Sequence, residues 1–208
     1  VIYGRGNQLR SALDGELEAA ADAVIDTADD LLTTSEKSRE ITKVLNDDTE
    51  IKRVRLASYL ERLTATAANK WPDVDLSVSL PDELVVTAIP AIESALKELI
   101  VNAVAHNDHE TPCVEVTATV DDKMARIQVA DNGPGISEFD QEVLESGTAI
   151  GTLSHGSGLG LWLVYWVVKR SNGKITITDC DSNGTAVTIS LPVVSGTSDR
   201  EGHSSRSQ

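Results

Sequence analysis

Glu98-Leu-Ile-Val-Asn102-Ala-Val-Ala-His106-Asn107 is the stretch on which the fold of this chain turns. Around it Ile92, Leu96, Leu99 and Ala103 recur at helical spacing and form an apolar stripe, and Pro90 suits a helix start. The spacing predicts a helix from Pro90 to about His106. Glu98, Asn102 and His106 stand on it at i, i+4 and i+8, as a separate polar row. Asn102 is the odd member, lodged between Ile100-Val101 and Ala103-Val104-Ala105, because Asn is a poor residue for a helix interior. A buried amide without a partner costs about 1–3 kcal/mol, so some compensation is expected. A carboxamide oxygen is a hard ligand suited to Mg2+, which keeps its waters and bridges substrate phosphates. Glu98, one turn earlier, could polarise a nucleophile as a general base. Taken alone, the row is more simply the polar face of an amphipathic helix.

Two further clusters follow. Val129-Ala-Asp131-Asn-Gly133-Pro-Gly135-Ile136 comes directly after a predicted strand. Asn-Gly and Pro-Gly are common turn signals, so a plain turn explains it locally. A carboxylate at a strand end beside glycines can also accept the exocyclic amine of adenine, with backbone brought close to the base. His155-Gly156-Ser157-Gly158-Leu159-Gly160-Leu161 opens a helix carrying Trp162 and Trp166. Amides exposed at a helix start after glycines form an anion site. This is no Walker A loop, since Gly-Lys-Ser/Thr is missing. A dinucleotide fingerprint also fails, because Leu161 holds the third glycine position and no hydrophobic strand precedes the loop.

Outward from these clusters, the pattern groups helices with antiparallel strands. Leu76–Leu80 and Leu84–Thr87 are predicted to form one hairpin, Val114–Val120 and Ala125–Ala130 a second, and Lys174–Thr178 with Thr185–Leu191 a third. Leu56–Asn69 and Leu159–Arg170 read as helices, and Asp131–Ser157 shows little periodicity. The expected class is α+β, a sandwich with one mixed sheet. Residues 1–50 differ, with five basic against twelve acidic residues. Val24, Ala28, Leu31, Ser35, Ser38, Thr42 and Leu45 alternate steps of three and four, with Ile25, Leu32 and Ile41 widening the stripe. With a shorter helical stretch over Val1–Leu13 and a turn at Leu13-Asp-Gly-Glu16, this is an αα-hairpin. It is expected to complete a four-helix bundle with a second copy or, alternatively, to pack on its own downstream domain.

Composition narrows the classes. The 208 residues carry 33 acidic against 18 basic side chains, a net charge of −15, which argues against nucleic acid as the main partner. No apolar run approaches a membrane span, so no membrane contact is expected from this chain. Cys113 and Cys180 stand far apart and support neither a disulfide scaffold nor a zinc ribbon. An acidic chain with eight lysines fits a salt-adapted cytoplasm. Val1 is not a start methionine, and the chain is expected to be a piece of a longer protein.

The order and spacing of the three clusters are more specific than any one of them. Residues 93–191 resemble the catalytic ATP-binding domain of sensor histidine kinases, of the superfamily that includes gyrase B, heat-shock protein 90 and MutL. Glu98–Asn107 is similar to the N box, Asp131–Ile136 to the first glycine box and Gly156–Leu161 to the second. Asn183-Gly-Thr185 to Pro192 resembles the terminal strand with its adenine-side Thr, and the resemblance, with closure expected at Leu191-Pro192, favours the kinase branch over those with a transducer domain. The helices before it resemble the dimerisation and phosphotransfer hairpin. Thr27-Ala-Asp-Asp-Leu-Leu and Ser35-Glu-Lys-Ser-Arg look like halobacterial members.

The resemblance implies a two-layer sandwich of the GHKL (Bergerat) type with three parts: a truncated hairpin at 1–46, the ATP-binding domain at 47–194 and a disordered tail at 195–208. It implies a cytoplasmic, homodimeric histidine autokinase core that uses ATP and Mg2+ and serves the receiver domain of a response regulator. Asp131 would hold the adenine amine, with Gly133, Gly135 and Ile136 at the base and Thr185 beside it. Asn102 would coordinate Mg2+, and Gly156, Ser157, Gly158, Leu159, Gly160 and Leu161 would cradle the phosphates. Residues 137–155 would form a lid, and Glu98 would position or deprotonate the attacking group. Three features depart from the family pattern. Ala105 stands where a basic residue is common, leaving His106 or His155 to offset phosphate charge, and Leu144 replaces an expected Phe. None of His106, His109, His155 and His203 lies in the hairpin, so the phosphoacceptor is expected a few residues upstream. The same fold would also serve a regulatory ATP-binding module without kinase activity, or an anti-sigma serine kinase.

Overall fold

Residues 16–46, 50–121, 123–147, 157–180 and 184–193 are described by a computed structural model. Helix α1 (Glu16–Asn46) is followed by β1 (Lys52–Arg55), α2 (Ala57–Lys70), β2 (Asp75–Ser79) and β3 (Val85–Ala88). Then come α3 (Ile92–Ala105), β4 (Cys113–Val120), β5 (Met124–Asp131), α4 (Glu138–Ser146), α5 (Ser157–Arg170), β6 (Lys174–Asp179) and β7 (Thr185–Pro192).

Strand alternation sets the sheet. Val114, Val116 and Ala118 of β4, Ala125, Ile127 and Val129 of β5, and Val187, Ile189 and Leu191 of β7 are all buried. They line one face in the order β2-β4-β5-β7-β6. The two downstream hairpins form as expected, β4 against β5 and β6 against β7. The first expected hairpin does not. β2 pairs parallel with β4, Leu76 opposite Val114, while β3 pairs antiparallel with β1 in a separate two-stranded sheet, Val86 opposite Val54. Alternation fixes which face a residue takes, not which strand lies alongside. The parallel pair becomes possible because α3 supplies the crossover that returns the chain to β4. β1 gave little warning, since Val54 is the one apolar residue in Lys-Arg-Val-Arg.

The second layer is helical. Leu96 and Ile100 of α3 and Val164 and Val167 of α5 are fully buried, with α3 laid on β4 and β5 and α5 beside it. The result is the expected two-layer α+β sandwich. Helix α4 lies in the stretch read as aperiodic and buries Val143 and Leu144. Its signals are caps rather than periodicity. Ser137 Oγ accepts from the Asp140 amide at 3.1 Å, and Gly147 closes the helix at φ 68°.

Helix α1 divides into two parts. Its last turns bury Ile41 and Val44 against α5, where Arg170 Nη2 donates to Leu45 O at 2.7 Å. Farther up, Val24, Leu31 and Leu32 of the expected seam are 58–66% exposed. The shorter first helix, the 13–16 turn, the Asn46–Asp48 linker beyond Asn46 and the tail from 195 lie outside the described residues. No described helix is long and apolar enough to cross a membrane.

Candidate functional site

The 3.6-residue period of α3 carries Leu99, Asn102, Ala103 and His106 onto one wall of a cavity of about 270 Å³. Val129, Asp131, Pro134, Gly135, Ile136 and Ser137 form the facing wall, and Asp140, Leu161 and Val187 complete it. Two clusters separated by some thirty residues in sequence therefore meet, because α3 packs directly over β5.

Asp131 stands half-buried in the cavity wall at the end of β5. Burial raises its pKa above the ordinary carboxylate value, opposed by hydrogen bonds from the backbone amides of Gly133 and Thr185. The Gly133 amide lies 2.9 Å from Oδ1. Gly184 lets β7 start against the Asp131 carbonyl, where a Cβ would collide with the oxygen. Gly135 has φ 89°, a left-handed conformation that turns the loop toward the cavity.

Other site candidates distribute unevenly. Asn102 and His106 face the cavity, and the Asn102 carboxamide has no hydrogen-bond partner among the described residues. Glu98 is not part of the lining. It turns toward the start of α5 and pairs with Lys37 of α1 at 2.6 Å. Ile136 and Leu161 line the wall, Thr185 is buried, and Gly160 is buried beside Glu98. Leu159 is half-buried at the start of α5, which Ser157 and Gly158 open. His155 and Gly156, like much of the expected lid, lie outside the described residues.

A scaffold that composition and spacing did not mark holds the two walls in register. Asn132 Oδ1 accepts from Asn107 Nδ2 at 2.9 Å and from the Cys113 amide at 2.8 Å, while Asn132 Nδ2 donates to Thr111 O at 2.9 Å. One carboxamide thus ties the end of α3 to the end of β5. Its signal was the Asn following Asp131, which reads equally well as an ordinary turn residue.

The chemistry is that of a slot with one half-buried carboxylate acceptor, an apolar lining from Leu99, Val129, Leu161 and Val187, and polar groups at Asn102 and His106. No group of three or more His, Cys, Asp or Glu gathers as a metal site among the described residues. An ion at Asn102 would need the rest of its oxygens from a bound ligand and water, which fits Mg2+ carried by phosphates.

A family profile described as histidine kinase-, DNA gyrase B- and HSP90-like ATPase matches residues 87–195, the span that builds this cavity. The chain belongs to that ATPase family. Its ATPase domain is similar to those of sensor histidine kinases. It is 30% identical over 142 residues to the sensor-type histidine kinase PrrB of Mycobacterium tuberculosis, covering 67% of this chain and 31% of that protein. The chain therefore spans about a third of this relative's length. The solved ATP-binding domain of PrrB superposes with a TM-score of 0.56 at 26% identity, covering 70% of this chain and 99% of that one. Full-length ShkA in complex with AMPPNP shares the fold over 93% of this chain and 42% of its own, with a TM-score of 0.70 at 18% identity.

The raised pKa of Asp131 has a consequence for stability. A carboxyl that titrates higher in the folded ATPase than in the unfolded chain favours folding below the unfolded value and loses that contribution as pH rises through the folded one. The unfolding free energy of the native chain minus that of Asp131→Asn is therefore expected to fall with rising pH across the carboxylate range and to level above it. Urea unfolding between about pH 3 and about pH 7 measures this difference. A difference that rises with pH would refute it.

Proposed function

We propose that this chain is the ATP-binding catalytic core of a sensor histidine kinase, donating the γ-phosphoryl group of ATP to a histidine upstream and from there to the receiver domain of a response regulator. The observation that carries the reading is the half-buried Asp131 carboxylate lining one cavity with the unpartnered Asn102 carboxamide. Adenine would place its exocyclic amine on Asp131 and its faces against Ile136 and Val187, with the amides of Gly133 and Thr185 fixing the carboxylate and Gly135 beneath the base. Asn102 would hold Mg2+ together with phosphate oxygens, supplying charge neutralisation at the phosphates. His106 stands on the same wall and takes the place of the basic residue that Ala105 does not provide. Helix α5 opens with Ser157 and Gly158, so its first amides are suited to the phosphate chain, continuing through Leu159, Gly160 and Leu161. Glu98 would position or deprotonate the attacking imidazole once free of Lys37.

The same reading divides the chain into a helical segment at 1–46, the ATP-binding domain at 47–194 and a tail at 195–208. Exposed Val24, Leu31 and Leu32 support a homodimer through the helical segment, since an apolar stripe in water needs a partner. A cytoplasmic setting follows from the use of ATP and a receiver domain. A salt-adapted source remains part of the proposal on composition, with the net charge of −15 as its support.

One observation favours a second reading, a regulatory ATP-binding module without kinase activity. No histidine occurs in residues 1–46. The two readings part in a longer chain that includes the segment upstream of Val1. Incubated with Mg-ATP labelled in the γ position, it is expected to acquire acid-labile phosphate on a histidine; bound ATP without such phosphate selects the regulatory module. In this chain, Asn102→Ala is expected to weaken Mg-ATP by at least about 100-fold, the loss of roughly 3 kcal/mol, with the circular dichroism spectrum kept. Affinity like that of the native chain would remove Asn102 from the site. Salt adaptation predicts that the unfolding midpoint rises in multimolar KCl, and an unchanged midpoint rejects it.

A further inference from the structure

The Lys37–Glu98 pair joins α1 to the N-terminal half of α3 and lies beside the nucleotide cavity without lining it. Nζ stands 2.6 Å from Oε2, and the two side chains are only 19% and 13% exposed. Lys52–Glu50 and Arg126–Asp121, by contrast, are surface pairs with side chains 46–81% exposed. Glu98 Oε2 is sealed from solvent and receives no hydrogen bond of full geometry, so the Lys37 ammonium is its counter-charge among the described residues. Gly160 makes the room. A methyl group there would overlap Oε2 and stand 3.3 Å from Nζ. Farther along α1, buried Ile41 and Val44 and the Arg170 bond to Leu45 O clamp the same half of the helix onto α5.

We infer that Lys37 is a positioning residue for Glu98: while α1 is docked, its ammonium holds the carboxylate against Gly160 and away from the cavity that Asn102, one turn later, lines. Release of this half of α1 frees the carboxylate. The inference rests on the proposed role of Glu98 in phosphoryl transfer. Its physical basis is the cost of an uncompensated buried charge. With the ammonium withdrawn, a carboxylate whose Oε2 is shut off from water lacks a counter-charge and must turn away from its present site. A residue from the helical segment thereby decides whether the ATP-binding domain has its acidic group available. Docking and reactivity exclude one another at a single ion pair.

The test compares the native chain with Lys37→Met, which keeps the length of the side chain without its charge, and with Lys37→Arg, which restores the charge. Slow release of phosphate from Mg-ATP gives kcat and KM, and amide hydrogen exchange over residues 37–46 reports docking. Lys37→Met is expected to raise kcat about fivefold, to leave KM within about twofold and to speed exchange over 37–46, with Lys37→Arg returning all three toward native values. The gain in kcat must vanish when Glu98 is also changed to Gln, a dependence that general loosening of the helix would not produce. Unchanged or lower kcat in Lys37→Met, a gain that survives Glu98→Gln, or Lys37→Arg behaving like Lys37→Met would each overturn the inference. Should the native chain bind no Mg-ATP, the nucleotide reading fails on its own account. Hydrogen exchange then decides the latch, with unchanged protection in Lys37→Met counting against it.

Discussion

How α3 divides its circumference governs everything around it. Ile92, Ala95, Leu96, Leu99, Ile100 and Val104 are buried, so the helix cannot rotate without emptying the core over β4 and β5. Deleting one such side chain costs about 2–5 kcal/mol, more than any polar contact at the site could recover. With the core face fixed, the 100° step per residue keeps Glu98, Asn102 and His106 on one side of the helix, where Asn102 and His106 reach the cavity and Glu98 meets Lys37 of α1. Core packing thus aims the functional groups.

Asp131 shows the opposite balance. Its burial works against its charge, and two backbone amides, from Gly133 and Thr185, offset part of that cost. Those amides are in place because Gly133 sits close against Asn107 and Gly184 lets β7 begin at the Asp131 carbonyl. The Asn132 carboxamide then pins this strand end to Thr111, Cys113 and Asn107. A carboxylate held this way would meet a ligand's donor without reorganising, as the proposed adenine contact requires.

A protein with net charge −15 that takes a polyphosphate cannot use a basic surface to attract it. The described cavity has no Lys or Arg in its lining. On the proposed reading, helix-start amides and His106 would supply the donors, and a cation shared with the phosphates would supply the positive charge. The Lys37 ammonium pairs with Glu98, where it ties the helical segment to the domain. Acidity of the whole chain and economy of positive charge at the site are two sides of one constraint.

Much of this was legible from residues alone. The period of Ile92, Leu96, Leu99 and Ala103 determined α3, the alternation in β4, β5 and β7 determined the sheet face, and the order of the three polar clusters determined the ATPase family. Local signals suffice there because period and turn chemistry are properties of neighbouring residues. Partner choice is not. That β2 joins β4 in parallel while β3 joins β1, and that Asn132 braces two distant segments, depend on contacts between residues far apart in sequence. The Glu98-Asn102-His106 row makes the division plainest. Sequence put the three on one polar face; packing of α1 against α5 drew Glu98 to Lys37 and left only Asn102 and His106 on the cavity, because a buried carboxylate goes where its counter-charge is.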